Sequence, residues 1–111
     1  MEIQATTVLT RKQWKDKNDK HKKRAKRRGL AHSATLTDYK QVLDSHQGRC
    51  SYCGVQAILT IDHIIPMSRG GGHIRSNIAF ACFNCNQKKD SMMVDEFLSM
   101  INFRSMRNAF G

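Results

Sequence analysis

The sequence has little proline, little acidic charge and no long apolar segment. Pro66 is its only proline, so most of the chain is expected to fold, and only nine of its 111 residues are Asp or Glu. No apolar run approaches the roughly 20 residues that span a bilayer. The first residues also lack the apolar core of a signal peptide, and charge becomes dense from Arg11 onward. We therefore expect a soluble, intracellular protein that has no membrane segment and is not secreted.

Basic residues greatly outnumber acidic ones. Lys and Arg number 19, which gives a formal net charge of +10. Such an excess favours a polyanionic partner, either nucleic acid or an anionic membrane surface. No amphipathic lipid-binding helix stands out in the sequence, so nucleic acid is the preferred partner.

Residues 1–30 are predicted to be a basic N-terminal arm, ahead of a compact domain at residues 31–111 that contains all four cysteines. The apolar residues of its charged block, Trp14 and Ala25, make no stripe, so a helix here would be solvated or would form only on binding. A solubilising tail would explain the charge. However, the charged residues are mostly of positive sign, which favours an arm that lies against phosphates. The arm residues predicted to contact nucleic acid are Arg24, Arg27 and Arg28.

The rest of the chain predicts short helices and strands, and therefore an α+β fold. Helical spacing of apolar residues, a capping threonine and Gly48 predict a helix near residues 37–47. The Ile-rich segment 57–65 predicts a strand that ends at Pro66, and a flexible glycine-containing loop follows. A second strand is predicted at residues 78–81, and helices are predicted at residues 82–89 and 94–108.

All four cysteines occur in Cys-x-x-Cys pairs, Cys50/Cys53 and Cys82/Cys85. In a reducing compartment such pairs bind metal more often than they form disulfides, and the two intervening residues let both sulfurs reach one ion. We predict one zinc ion held by all four thiolates. Four protein ligands leave no position for water, so this zinc is predicted to be structural. Redox pairs or free thiols are the alternatives, although no thioredoxin-like setting surrounds the cysteines.

An Asp-His dipeptide, Asp62-His63, lies in the apolar strand between the two cysteine pairs. A charged pair at the end of a strand is expected at a functional site more than in a core. Taken alone, however, the dipeptide is a weak signal, because a hydrogen-bonded structural histidine is the commoner explanation.

A longer series of residues reverses this interpretation. In order, the sequence contains Cys50-x-x-Cys53, Asp62-His63-x-x-Pro66, Arg69-Gly70-Gly71, Asn77 and Cys82-x-x-Cys85-Asn86-x-x-Lys89. This combination closely resembles the HNH nucleases over roughly residues 36–100, and Asn86 at the third signature position corresponds to the HNN variant. The resemblance implies a treble-clef-like ββα-metal core with flanking helices. Small free-standing members of this family often come from phages.

The resemblance also implies roles for individual residues. His63 would be the general base, since a neutral imidazole can take a proton from water. Asp62 and Asn86 would hold one catalytic divalent ion, Mg, Mn or another. Asn77 would brace the loop through hydrogen bonds without touching the metal, so that His63 is held in line. His63, Asn77 and Asn86 are therefore the predicted catalytic residues.

Further polar residues flank these positions. DNA contacts are predicted for Arg69, His73, Arg75, Lys88 and Lys89, although any one of these could equally be a solvated charge. His73 is the most ambiguous, because it could simply sit on the glycine loop. Surface positions are predicted for His21, His32 and His46, and packing roles for Trp14 and Tyr52.

Together these features predict a metal-dependent DNA endonuclease that hydrolyses phosphodiester bonds by nicking or weakly specific cleavage. DNA would be bound mainly through its phosphate backbone, because so small a chain has little surface for reading a long sequence. We expect a monomer, and the family context suggests a phage terminase as a further partner and a bacterial cytoplasm as location. The alternatives are a non-catalytic, zinc-stabilised nucleic-acid-binding module and a protein-interaction module.

Overall fold

The computed structural model describes residues 9–100. Its helices are α1 (Arg11–Arg27), α2 (Leu36–Ser45) and α3 (Phe83–Lys89), and its strands are β1 (Leu59–His63) and β2 (Ile78–Cys82). Short 3-10 turns occupy Met67–Arg69 and Arg75–Asn77, and residues 94–100 are also helical. The predicted α+β class is confirmed. Within residues 9–100, the helices are too short or too polar to cross a bilayer.

The strands β1 and β2 form a two-stranded antiparallel sheet. The register runs from Leu59 opposite Cys82 to His63 opposite Ile78. β1 is shorter than the predicted segment 57–65 because β2 offers backbone partners to only five of its residues. All of β2 is buried, and Cys82 at its end also caps the N-terminus of α3. The sheet therefore leads directly into the helix that follows it.

Helix α1 packs against the rest of the domain, whereas the sequence predicted a helix that is solvated or forms only on binding. Trp14 meets the rings of Tyr39 and Phe80 edge-on, at centroid distances of 5.8 and 5.4 Å. Ala25, near the other end of the helix, is fully buried. Aromatic pairs of this geometry add to the stabilisation from buried apolar area, so tertiary contacts order a segment whose composition is otherwise highly polar.

The buried residues of α1 follow helical spacing, although charged residues surround them in the sequence. Trp14, Asn18, His21 and Ala25 are separated by four, three and four positions, which places them on one face. Asn18 is buried and His21 is half-buried. Because two of the four are polar, a search for apolar periodicity does not reveal the face.

The core lies between this face, the sheet and α2. Its buried members include Ala34, Tyr39, Leu43, Leu59, Ile61, Ile78, Phe80 and Phe97. Phe97 belongs to the helical residues 94–100, which fall in the helix predicted at residues 94–108, and Leu98 beside it is 37% exposed. Residues 101–108 of that predicted helix lie outside the described residues.

The loop between the strands folds back tightly against the end of β1. A Cβ atom on Gly71 would clash with the carbonyl oxygen of Ile65, so the close approach of the two backbones requires glycine. Farther along the loop, His73 N–H donates to the carbonyl oxygen of Ala31, and its own carbonyl accepts from Ala34. The loop therefore carries His73 into the space between α1 and the sheet.

Candidate active site

The four cysteines form one cluster. Their sulfur atoms all lie within 4.8 Å of one another, and none of the four forms a disulfide. Sulfurs bound at about 2.3 Å to one tetrahedral ion lie about 3.8 Å apart, and Cys53 Sγ and Cys82 Sγ are separated by 3.8 Å. The cluster therefore has the dimensions and the chemistry of a four-thiolate zinc site, as the sequence predicted.

Backbone N–H groups around the cluster stabilise negative charge on sulfur. Tyr52 N–H and Cys82 N–H each donate to Cys50 Sγ at 3.4 Å, and Cys85 N–H donates to Cys82 Sγ at 3.5 Å. Burial raises the pKa of Cys50, but backbone donors from Cys53, Cys82 and Tyr52 outweigh it and bring the pKa down to about 7. This cysteine is therefore prepared to bind as a thiolate.

Asp62, near the end of β1, contacts Tyr52 between the first two cysteines and Lys89 at the end of α3. Its Oδ2 atom accepts a hydrogen bond from the Tyr52 hydroxyl and lies 3.1 Å from Lys89 Nζ. Lys89 is fully buried and also donates to the His63 carbonyl oxygen at 2.9 Å. Burial and the Asp62 carboxylate both raise the pKa of Tyr52, so its hydroxyl remains a donor. These contacts all fall on Oδ2, and the described residues donate no hydrogen bond to Oδ1.

Asn77 holds the loop to the end of β1. Its Oδ1 atom accepts from Ile65 N–H at 2.8 Å, and its Nδ2 donates to the carbonyl oxygens of Ile65 and Gly72 at 3.0 and 2.8 Å. Its own carbonyl oxygen accepts from Ile64 N–H. Asn77 is buried, so these bonds tie the residues after His63 to the loop that carries His73.

A chain of hydrogen bonds leads from His63 through His73 to helix α1. Asn18 Nδ2 donates to the Ala34 carbonyl oxygen, so Asn18 Oδ1 faces His73. Since Oδ1 can only accept, His73 Nε2 carries a proton and donates over 2.7 Å. The Tyr39 hydroxyl oxygen lies 3.0 Å from the same nitrogen. In a neutral imidazole the second nitrogen is then an acceptor.

This chain sets the tautomer of His63. His73 Nδ1 lies 2.9 Å from His63 Nε2, so the acceptor role of His73 assigns the proton to His63 Nε2. The lone pair of neutral His63 is therefore on Nδ1. That atom accepts no hydrogen bond from residues 9–100, and His63 is one of the residues that line an open cleft.

His21 completes a cluster of three histidines. Its ring lies 5.2 Å, centroid to centroid, from the rings of both His63 and His73. Burial, reinforced by neighbouring positive charge, lowers the pKa of His63 to about 3. The same causes lower the pKa of His21 and of His73 to about 4. All three rings are therefore neutral at pH 7.

Asp62 and His63 open onto a cleft of about 250 Å³. Its other lining residues include Arg24 of α1 and Arg28, which caps the C-terminus of that helix. The full set is Arg24, Arg28, Asp62, His63, Pro66, Met67, Ser68, Asp90 and Ser91. Helix α1 thus contributes positive charge to the same cavity that contains the Asp-His pair. A carboxylate and an imidazole beside two guanidinium groups suit a phosphate and a hard divalent ion.

The other predicted site residues occupy varied positions. Arg75 and Lys88 are exposed, and Arg27 lines a separate basic groove on α1 with Lys20, Lys23 and Lys26. Arg69 pairs with Glu96 at 2.9 Å. Asn86 is half-buried on α3, and the cleft lining contains Asp90, one helical turn later, but not Asn86.

Two residues predicted to contact DNA are enclosed instead. His73 and Lys89 are each 0% exposed, and their polar atoms bond to His63, Asn18, Tyr39 and Asp62. In this structure they support the Asp-His pair from inside the domain and present no surface to DNA.

Sequence reasoning missed His21, Asn18 and Asp90. The spacing of Asn18 and His21 relative to Trp14 and Ala25 could have indicated a buried polar face on α1. Asp90 had no comparable signal, because its place in the cleft depends on the positive φ of 45° with which it ends α3.

The β1–β2–α3 unit, with a cysteine cluster that fits zinc, defines a ββα-metal core. The sequence model of the HNH endonuclease family matches residues 50–91, which span this unit. That segment is therefore an HNH endonuclease domain, and the resemblance seen in the sequence is confirmed.

The chain is also similar to a protein of Acanthamoeba polyphaga mimivirus that is described only as uncharacterized. The two are 29% identical over 85 residues, which cover 77% of this chain but 16% of the viral protein. The chain thus spans about a sixth of the length of this curated relative.

Proposed function

We propose that this chain is a metal-dependent DNA endonuclease that hydrolyses phosphodiester bonds, by nicking or with weak sequence specificity. The observation that carries the proposal is the open cleft that Arg24, Arg28, Asp62 and His63 line together. It brings Asp62 and His63, for which the family resemblance implies roles in hydrolysis, together with two guanidinium groups suited to a phosphate. This combination favours an enzyme over a module that only binds.

His63 would act as the general base through Nδ1. Its lone pair is available there because Nε2–H donates to His73, and His73 in turn donates to Asn18. A positioned base of this kind contributes roughly 10²- to 10⁴-fold to rate. A phosphodiester anion in the cleft would raise the pKa of His63 from its low value in the free protein, because opposite charge favours the imidazolium.

Asp62 fits a catalytic divalent ion, since its carboxylate lines the open cleft and its Oδ1 atom accepts no hydrogen bond from the described residues. Together with Asn86, the second ligand suggested by the family resemblance, Asp62 would hold one Mg or Mn ion. Such an ion supplies charge stabilisation to the phosphate and the departing 3′ oxygen. The Lys89 and Tyr52 contacts on Oδ2 hold the carboxylate in position, and Asn77 holds the chain after His63.

DNA would lie along α1, with its phosphates between Arg24 and Arg28 at the cleft. The groove of Lys20, Lys23, Lys26 and Arg27 extends this positive surface along the helix. Contacts of this type bind the backbone without reading sequence. One site per monomer would cut one strand at a time. A phage terminase as partner and a bacterial cytoplasm as location stay predictions from family context.

The test is nicking of supercoiled plasmid with Mg or Mn, compared with an EDTA control. His63→Ala should lower the single-turnover rate by at least a hundredfold while zinc content, the circular dichroism spectrum and DNA affinity are retained. His46→Ala, which removes an exposed histidine at the end of α2, is the matched control and should cleave normally. Full activity in His63→Ala would eliminate the proposed mechanism, and DNA binding without any cleavage would favour the non-catalytic module.

A further inference from the structure

The three histidines of the cluster meet at one point although they come from separate segments. His21 lies on α1, His63 ends β1 and His73 lies in the loop between the strands. One imidazole nitrogen of each lies within 4.8 Å of the others. The family match begins at residue 50, so it does not include His21, and the hydrolytic mechanism proposed above does not use it.

The Nδ1 atom of His21 is buried and has no hydrogen-bond partner in residues 9–100. A buried nitrogen without a partner is uncommon, because leaving it unsatisfied costs roughly 1–3 kcal/mol. The neighbouring rings that contact His21 are those of His63 and His73. His21 can therefore turn a nitrogen toward a ligand without first giving up a hydrogen bond.

His73 has the surroundings of a metal ligand. Its Nε2–H donates to Asn18 Oδ1, and Asn18 is itself held by the Ala34 carbonyl. Histidines that bind metal usually donate their second N–H to such an acceptor, which sets the tautomer and the ring orientation. The other nitrogen, Nδ1, faces His63 Nε2 at 2.9 Å. Nitrogens about 2.05 Å from one tetrahedral zinc lie about 3.3 Å apart, so these two rings need to separate by a few tenths of an ångström and rotate until both nitrogens point at the ion.

From this geometry we propose that His21, His63 and His73 bind a zinc ion, at a site separate from the four cysteines and from Asp62. Three imidazoles without a carboxylate select zinc and related transition metals over Mg or Mn. The fourth position would be open to water. Positive charges on Arg24 and Lys89 oppose a dication here, so this zinc is held more weakly than the zinc bound by four thiolates.

Zinc at this site inhibits cleavage, a consequence that rests on the proposed function. Zinc can bind His63 Nε2 only in the other neutral tautomer, in which the proton that Nε2 donated to His73 lies on Nδ1. No proton is lost overall, but Nδ1 can no longer accept one from water. The same ion ties α1 to β1 and the loop, so metal occupancy and the position of the basic helix are coupled.

The test for binding uses Co²⁺ as a spectroscopic probe on chain that already contains one structural zinc. Wild type should take up one further Co²⁺, with visible absorption typical of nitrogen ligands and without thiolate charge transfer, and added Zn²⁺ should displace it. His21→Ala and His21→Gln should each weaken this binding at least tenfold, while His46→Ala should not change it. Circular dichroism confirms that each variant is folded. Absence of the additional Co²⁺ in wild type, or equal affinity in folded His21 variants, would overturn the site.

The test for inhibition compares Mg-dependent nicking with and without Zn²⁺ within each variant. Wild type and His46→Ala should lose activity on adding Zn²⁺, whereas His21→Gln should lose at least tenfold less. Equal inhibition of wild type and His21→Gln would overturn the inhibitory role. If wild type does not nick DNA at all, the proposed function fails, and the Co²⁺ measurement still decides whether the site exists.

Discussion

His63 Nε2 lies 2.9 Å from Nδ1 of His73, and this contact links the end of β1 to helix α1 through Asn18. The bond determines which nitrogen of His63 keeps its lone pair. It also gives the basic helix a second role beyond its charge, because Asn18 lies among its Lys and Arg residues.

Asn18→Ala should lower the rate of DNA cleavage about tenfold or more with little change in KM, because Asn18 positions His63 without contacting substrate. Without Oδ1, His73 loses the acceptor that keeps its proton on Nε2, and the tautomer of His63 is no longer set. Nitrogen NMR of the imidazole rings should show less His63 protonated at Nε2. Asn18→Asp retains an acceptor and should retain most activity. The exposed Asn84→Ala is a matched control, and an unchanged tautomer in Asn18→Ala would contradict the relay.

Stability should decrease as pH falls below about 6.5. Burial lowers the folded-state pKa of His63 to about 3 and that of His73 to about 4, from 6.5. Between these values the unfolded chain binds more protons, so the stability that is present above pH 6.5 is lost toward pH 4. Each additional proton contributes a slope of up to about 1.4 kcal/mol per pH unit.

The measurement is the free energy of urea unfolding at pH 7, 6 and 5. His73→Gln removes one of these two titrating groups, so the free energy of unfolding of the variant should depend less steeply on pH than that of wild type. His46→Gln changes an exposed histidine and should keep the wild-type slope. Comparing slopes between variants cancels the contribution of zinc loss in acid. A wild-type slope in His73→Gln would show that this ring is not buried in its neutral form.

Lys89→Met should destabilise the domain by about 3–5 kcal/mol, because it leaves the carboxylate of Asp62 enclosed without its partner. Lys89 is 0% exposed and the Asp62 side chain 9% exposed, so solvent screens the pair weakly. Lys88→Met, at the neighbouring exposed position, should change the unfolding energy by no more than about 0.5 kcal/mol. Urea unfolding at constant zinc concentration measures both. Similar losses of unfolding free energy in the two variants would show that the buried ion pair between Lys89 and Asp62 is not needed for stability.

Arg24→Ala and Arg28→Ala should each slow cleavage of bound DNA at least tenfold. Each should also reduce the slope of log affinity against log salt concentration by about one, the value of one phosphate contact. Both residues line the cleft with Asp62 and His63. Arg27→Ala, which alters the neighbouring groove, should reduce the salt slope but leave the single-turnover rate near that of wild type. Single-turnover kinetics with binding measured at several salt concentrations separates these effects. Equal loss of cleavage in all three variants would assign the arginines to general binding alone.

The sequence by itself determined the features of this protein that depend on the spacing and order of residues along the chain. The spacing of Cys50, Cys53, Cys82 and Cys85 predicted one metal cluster, because two residues between cysteines bring both sulfurs to one ion. The Ile-rich run before Pro66 predicted β1, and the ordered series ending at Lys89 indicated the HNH family. The roles of His63, Asp62 and Asn86 stay predictions, which the experiments above address.

Only the tertiary structure decided the position of α1. Its sequence is almost entirely polar, so no local preference indicates that Trp14 packs on Tyr39 and Phe80, or that Asn18 is buried. Those contacts join residues far apart in the chain, and packing of a few large side chains overrides the solvation of the remaining helix. As a result Arg24 and Arg28 lie in the cleft, His21 joins His63 and His73, and His73 and Lys89 turn inward. Burial and long-range hydrogen bonding, which composition does not encode, therefore decide which histidines and cations surround Asp62 and His63.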